Sequence, residues 1–284
     1  VEHHRLRAGT VALALSLLLS APVCLGQATI VQISDTHVGL STAPHALTNL
    51  QSVVTQINAM SPQPDAVIVS GDIGENTSDW QMAKNALALL NATVYYCPGN
   101  HDIHTTDIAT YRQYFGNDYY SFKINNITFM VIDSQLLGNF DTFTSGQTTP
   151  SPVPSNVQAE STKMFNWLSN QSKVTPEIAV QHIPLLPDTT GTSQYPSTNP
   201  YWFISDPYRT SEKNQFTRLA ITHLLAGHWH NQRTFTDSGS GITIHAAPAS
   251  AYAIPSTALI GYTIHTIIAA GAVTTQAVKC GACQ

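Results

Sequence analysis

Compact apolar runs separated by amphipathic stretches set the rhythm of the first half of the chain. Thr29–Ser34, Ala66–Ser70 and Thr93–Cys97 are such runs, and Val67-Ile68-Val69 is apolar without alternation. A strand with one face in water alternates, whereas an unbroken run marks a strand covered on both faces. Between the runs, Ala43–Ala59 spaces Leu47, Leu50, Val54 and Ile57 as one face of a helix, and Asp79–Leu90 reads as a helix capped by Ser78 or Asp79. This alternation predicts an α/β organisation.

The second half changes character. Tyr119–Ile124 and Ile127–Asp133 flank Asn125-Asn126, a hairpin signal. Gln158–Ser169 reads as a helix, and Glu177–Gln181, Thr222–Ala226, Ile242–Ala246 and Ile260–Ile268 as strands. Their succession predicts antiparallel pairing. Two mixed sheets packed face to face, with helices outside, accommodate all of these elements. Two segments are longer than a connection needs: Ser134–Ser155, rich in Thr, Ser and Pro, and Ile183–Thr210, which holds Tyr195, Tyr201, Trp202, Phe203 and Tyr208 among several prolines. The second is expected to overhang a site.

The N-terminus stands apart. Arg5 and Arg7 precede the small and apolar run Val11–Leu19, Ala21-Pro22 breaks it, and Leu25-Gly26-Gln27-Ala28 supplies small residues for cleavage. Basic, apolar and small is the grammar of a signal peptide over residues 1–28, with one domain over 29–284. The run is shorter than the ~20 residues of a membrane span. The mature chain is therefore expected to be secreted or periplasmic and to carry no transmembrane segment; a retained N-terminal anchor is the alternative.

Composition narrows the function classes. Hydrophobic residues make up 43% of the chain and charged residues only 10%, which excludes disorder. Lys and Arg number 12 against 17 Asp and Glu, and no basic cluster exists to neutralise a row of phosphates, so binding to a nucleic-acid polymer is not expected. Cys97 lies in a strand and reads as a buried thiol. Cys280 and Cys283 lack the further ligands of a zinc site and read as a local disulfide, while Cys24 leaves with the signal. Asn76, Asn91, Asn126 and Asn170 begin N-x-S/T triplets, which should lie on the surface if the host glycosylates.

Five short segments carry the chemistry: Asp35-Thr36-His37, Gly71-Asp72, Gly99-Asn100-His101-Asp102, Gln181-His182 and Gly227-His228-Trp229-His230. Each follows an apolar run, so each places oxygen or imidazole donors at a strand's C-terminal end, where α/β sheets gather ligands. Alone, D-x-H or G-D is weak. Together they supply enough donors for two divalent ions sharing one carboxylate. His101, next to Asn100, does not easily face the same ion but can reach a substrate. His104 is a further candidate in that loop, while His45, His223, His245 and His265 lack motif context and read as structural.

In order and spacing these segments resemble the signature of the calcineurin-like metallophosphoesterase superfamily, over Ile30 to about Asn231. The resemblance implies a four-layer αββα sandwich and a binuclear hydrolase of phosphate esters acting through a metal-bridging hydroxide. Asp35, His37, Asp72 and His230 would bind the first metal. Asp72, Asn100, His182 and His228 would bind the second. His101 would act as acid or transition-state stabiliser, oriented by Asp102. Mixed His, Asp and Asn ligation without thiolate suits Mn, Fe or Zn. Purple acid phosphatases carry D-x-G at the first motif and Tyr where Glu75 stands, so the likeness is to the D-x-H subgroup. The protein phosphatases' Arg near the catalytic His has no counterpart before Arg112. A small-molecule or lipid phosphate ester is the implied substrate. The competing expectation is a non-catalytic scaffold, which would be expected to have lost ligands; here every position survives. Arg209 and Arg233 are candidate phosphate clamps, with a solvated role as the alternative.

Overall fold

A computed structural model describes residues 27–103, 108–187 and 198–284. The expected signal peptide, except for Gln27 and Ala28, lies outside these residues, as do His104 and Tyr195. Among the described residues no helix is long and apolar enough to cross a membrane.

The first sheet contains β1 (Ala28–Ile33), β2 (Ala66–Ser70), β3 (Val94–Cys97), β10 (Gly261–Ile267) and β11 (Val273–Lys279), in the order β11-β10-β1-β2-β3. β1, β2 and β3 run parallel, and β10 is antiparallel to both β1 and β11. The second sheet contains β4 (Tyr120–Ile124), β5 (Ile127–Val131), β6 (Glu177–Val180), β7 (His223–Ala226), β8 (Arg233–Thr236) and β9 (Thr243–Ala246), in the order β4-β5-β6-β7-β9-β8. Both sheets are mixed and flanked by helices, as the sequence predicted.

The unbroken apolar runs have the expected cause. In β2, Ala66 and Ile68 join Ile30, Phe129, Val131, Val180 and Leu225 between the two sheets. Val67 and Val69 point the other way, into a second core with Leu50, Val53 and Ile57 of α1 (Ala46–Asn58) and Ala83 and Leu87 of α2 (Thr77–Leu87). Every residue of such a strand is buried, so alternation disappears.

The predicted antiparallel succession is corrected: β5, β6, β7 and β9 are parallel. A parallel pair needs a crossover, and α5 (Tyr208–Leu219) provides the one between β6 and β7. It was hidden at the end of the aromatic loop because only Glu212, Phe216 and Leu219 of its residues are buried, too thin a stripe to read as periodic. Sequence reading also missed α3 (Ile108–Phe115) and the short or polar edge strands β8 and β11. α4 (Ser155–Ser169) matches its predicted helix, extended at the start. Cys280 and Cys283 form a disulfide, Cys97 is a buried free thiol, and the four candidate glycosylation asparagines are exposed.

Candidate metal centre

The polar exits of β1, β2, β3, β6 and β7 converge. The loops after β1 and β2 stay zipped beyond the strands, with Asp35 N–H donating to the Gly71 carbonyl (3.0 Å) and His37 N–H to that of Asp72 (2.9 Å). The exit of β3 presses against Asp72 so closely that a Cβ on Gly99 would lie 2.2 Å from its backbone nitrogen; only glycine fits. The second sheet joins through the backbone N–H of His228, which donates to both carboxylate oxygens of Asp35 at 3.1 and 3.2 Å.

This convergence strains the backbone. Asp35, His37, Asp72, His228 and His230 all have positive φ, between 40° and 70°. The other non-glycine cases among the described residues are Asn125 and Asn126 in the hairpin turn and Ala220 at the end of α5. Left-handed backbone costs a non-glycine residue ~1–3 kcal/mol, and such strain gathers where function requires it.

The side chains form two groups that share Asp72: Asp35, His37, Asp72 and His230, and Asp72, His182 and His228. All are buried. Asp72 Oδ1 is taken by the backbone N–H of His101 (2.9 Å). Its Oδ2 faces His182 Nε2 at 3.1 Å and His37 Nε2 at 3.5 Å, so one oxygen joins the two groups.

The outer nitrogens decide the tautomers. His182 Nδ1 donates to the Ser70 carbonyl (2.7 Å) and His230 Nδ1 to that of Tyr252 (3.1 Å), because a carbonyl only accepts. His37 Nδ1 donates to Glu75 Oε1 (3.2 Å). In the neutral rings each Nε2 then carries a lone pair. Yet His37 Nε2 and His230 Nε2 face each other at 3.1 Å, His230 Nε2 faces Asp35 Oδ1 at 3.3 Å, and His182 Nε2 faces a carboxylate. His228 is turned the other way: its Nε2 donates to the Tyr201 carbonyl (2.9 Å), which leaves Nδ1 bare. Asn100 Oδ1 is buried without a partner. Electron pairs converging on one another, with an orphaned amide oxygen beside them, fit cations held by oxygen and imidazole donors.

Without a cation, protons must serve. Burial pushes the His182 imidazolium down, but Asp72 and Asp35 outweigh it and lift the ring to about 9. Burial pushes Asp35 up, but His230 and His182 hold it down at about 2, and Asp72 is held well below the usual carboxylate range by His182 and His101. A cation therefore has to displace the His182 proton at neutral pH. Apparent metal affinity should rise about tenfold per pH unit up to pH ~9, with proton release seen as a buffer-dependent enthalpy in calorimetry. Affinity flat between pH 6 and 8.5 would contradict this arrangement.

The structure brings six of the seven predicted ligands into these two groups; Asn100, the seventh, donates to the Tyr201 hydroxyl (3.4 Å), and His101 follows it with its backbone N–H on Asp72. Asp102 is corrected. It accepts backbone N–H groups from Ile73 (2.8 Å), Gly74 (3.2 Å) and Gly99 (2.9 Å), so it ties the β2 and β3 exits together and does not orient His101. The group on His101 Nδ1 is Glu75 Oε2, at 2.9 Å. Burial lowers His101, but Asp72 and Glu75 raise it to about 9, so it is protonated at neutral pH. The sequence signal for Glu75 is a carboxylate three residues after Asp72, but nearness along the chain favours Asp102, which adjoins the histidine.

The two aromatic walls come from Tyr252, whose ring lies 4.3 Å from that of His230, and from Tyr201 and Trp202, 4.8 and 5.3 Å from that of His228. Half-exposed Phe143, from the other long loop, packs on Tyr201 and Trp202. Of the residues predicted to overhang the site, Tyr201 and Trp202 do. Phe203 is buried, and Tyr208 stacks on Phe165. Arg209 pairs with Asp206 and lies over Phe203.

Two packed mixed sheets thus hold buried carboxylates and imidazoles together at their strand ends. Residues 28–232 match the profile described as calcineurin-like phosphoesterase, and the chain belongs to that family. It is 25% identical over 218 residues to the human serine/threonine-protein phosphatase CPPED1, covering 69% of this chain and 63% of that protein. It is 36% identical over 81 residues to a probable glycerophosphodiester phosphodiesterase GpdQ from Arcobacter nitrofigilis, covering 26% of this chain and 29% of that one. The chain thus spans less than two thirds of the length of these relatives. Its fold is similar to that of a dimetal phosphatase from Danio rerio, with a TM-score of 0.58 at 14% identity, over 87% of this chain and 98% of the other.

Proposed function

We propose that this metallophosphoesterase hydrolyses small phosphate esters at a two-metal centre, with Asp35, His37, Asp72 and His230 on one ion and Asp72, Asn100, His182 and His228 on the other. The observation that carries this reading is the set of bare imidazole nitrogens and carboxylate oxygens facing one another around Asp72 Oδ2. When bound, such a pair of Mn, Fe or Zn ions polarises phosphoryl oxygens and lowers the pKa of water. The chain's own residues do the rest. His101, protonated and held by Glu75, presents its other ring nitrogen to the leaving-group oxygen or to the charge that grows on the phosphoryl oxygens. Tyr201, Trp202 and Phe143 offer an apolar wall for the leaving group, which supports an aryl, nucleobase or lipid ester. Export of the chain is supported by the signal-like N-terminus and by the Cys280–Cys283 disulfide, which suits an oxidising compartment.

The test is hydrolysis with added Mn²⁺ of p-nitrophenyl phosphate, bis-p-nitrophenyl phosphate and a phosphoserine peptide, each with a His101→Ala control. Turnover lost by ~10²-fold or more in the variant supports the reading, and the faster substrate separates diesterase from phosphatase. Bound metal without turnover of any of them returns the chain to the scaffold expectation.

A further inference from the structure

Between the sheets, just below the metal centre, the apolar core gives way to a chain of polar side chains. Gln32 of β1 is fully buried. Its Nε2 donates to Ser70 Oγ at 2.8 Å and to the Ala226 carbonyl at 2.9 Å. Ser70 ends β2 and leads into Gly71-Asp72; Ala226 ends β7 and leads into Gly227-His228. The Ser70 carbonyl is also the acceptor that sets His182 Nδ1. One carboxamide thus ties the ligand-bearing ends of a strand from each sheet while standing on a third, β1, that leads to Asp35.

The rest of the chain holds that carboxamide the right way round. The Ala226 carbonyl only accepts, so the NH₂ end of Gln32 faces it, and Oε1 must accept from His265 Nε2 (2.8 Å). His265 Nδ1 is then bare and accepts from Thr275 Oγ1 (3.0 Å), which in turn accepts from His245 Nδ1 (2.8 Å). His245 Nε2, bare in its turn, accepts from His223 Nδ1 (3.0 Å). Every donor meets one acceptor in a single head-to-tail direction, from β7 through β9, β11 and β10 to β1. This requires neutral rings at His245 and His265, each of which accepts on one nitrogen, and burial lowers both, His245 to about 4.

We propose that Gln32 is a positioning residue of the metal centre, fixing the separation of the β2 and β7 ends and, through Ser70, the aim of His182. The proposal rests on the two-metal reading above. Burial alone does not call for such a network. A few residues away Ile30, Ile68, Val131 and Leu225 fill the same intersheet space with hydrocarbon. A buried network that satisfies each of its members specifies geometry, which an apolar layer does not.

The experiment is calorimetric titration of the metal-free full chain with Mn²⁺, for wild type, Gln32→Leu and the milder Gln32→Met. Leu87→Ala, in the helix–sheet core, serves as a destabilised comparator. Gln32→Leu should weaken binding at the site containing His182 by ~10–100-fold and alter the paramagnetic resonance signature of the Mn²⁺ pair. Leu87→Ala should lower the melting temperature with neither effect. In the wild type, ¹⁵N shifts should show His265 protonated at Nε2 and His245 at Nδ1. Wild-type affinity and signature in Gln32→Leu and Gln32→Met, or reversed tautomers, overturn the proposal. Failure of the wild type to bind Mn²⁺, Fe²⁺ or Zn²⁺ overturns the metal-centre reading and this inference with it.

Discussion

Asp72→Asn should abolish metal-dependent hydrolysis while leaving a folded apoprotein. In the native chain Asp72 Oδ1 accepts the His101 N–H, and Oδ2 stands between His182 Nε2 and His37 Nε2. An asparagine keeps the first bond with its amide oxygen. Its NH₂ then points at two imidazole nitrogens that are bare when neutral, and donates to them. The cluster that required a cation or a proton becomes a satisfied hydrogen-bonded group. Removing the shared charge should cost several kcal/mol of transition-state stabilisation, on the order of 10³-fold in kcat. Metal content should fall below two equivalents by elemental analysis. The melting temperature of the metal-free variant should match or exceed that of the metal-free wild type only above pH ~9, where His182 has lost the proton it shares with Asp72 and a lone pair faces a carboxylate. Two retained equivalents of metal, or full turnover, would remove Asp72 from its bridging place.

The elements that the sequence made legible are those whose physics is local. Strands buried on both faces, such as Ala66–Ser70, announce themselves by losing alternation, and the ligands were legible because each ends such a run. Their number and order, D-x-H, G-D, G-N-H, H and G-H-x-H, exceed what separate loops need. What stayed hidden depends on partners distant in the chain. Nothing near Gln32 tells that its amide reaches Ala226, 194 positions away. β8 and β11 are polar edge strands that only their neighbours define, and α5 buries too few side chains to leave a period. Asp102 and Glu75 show the same limit at the site. Both carboxylates were visible, but which one meets His101 depends on how the β2 exit folds back across the β3 exit. Asp102 is consumed there by three backbone donors.

That difference makes Glu75 the second decisive position. Burial raises the Glu75 carboxyl, but its bonds to His101 and His37 outweigh this and hold it at about 2, so it is ionised throughout the working range. It accepts from both rings, at 2.9 Å from His101 and 3.2 Å from His37. In Glu75→Gln the side chain keeps one oxygen for two N–H donors. His101 loses the carboxylate charge that helps to lift it to about 9 and should drop toward the ordinary histidine value of about 6.5. The sign follows. An acid works only below its pKa, so the basic limb of the kcat profile should move to lower pH in the variant. Near pH 6 the variant should turn over close to the wild-type rate at saturating metal. At pH 8.5 it should lose most of its activity, and its metal affinity should fall ~10–100-fold through the loosened His37. Asp102→Asn supplies the contrast. It leaves one of the backbone donors facing an NH₂, so it should lower the melting temperature and move the basic limb less than Glu75→Gln does, because Asp102 raises His101 only through its charge and less than Glu75 does. A limb that stays in place in Glu75→Gln, or moves further in Asp102→Asn than in Glu75→Gln, would return the orienting role to Asp102.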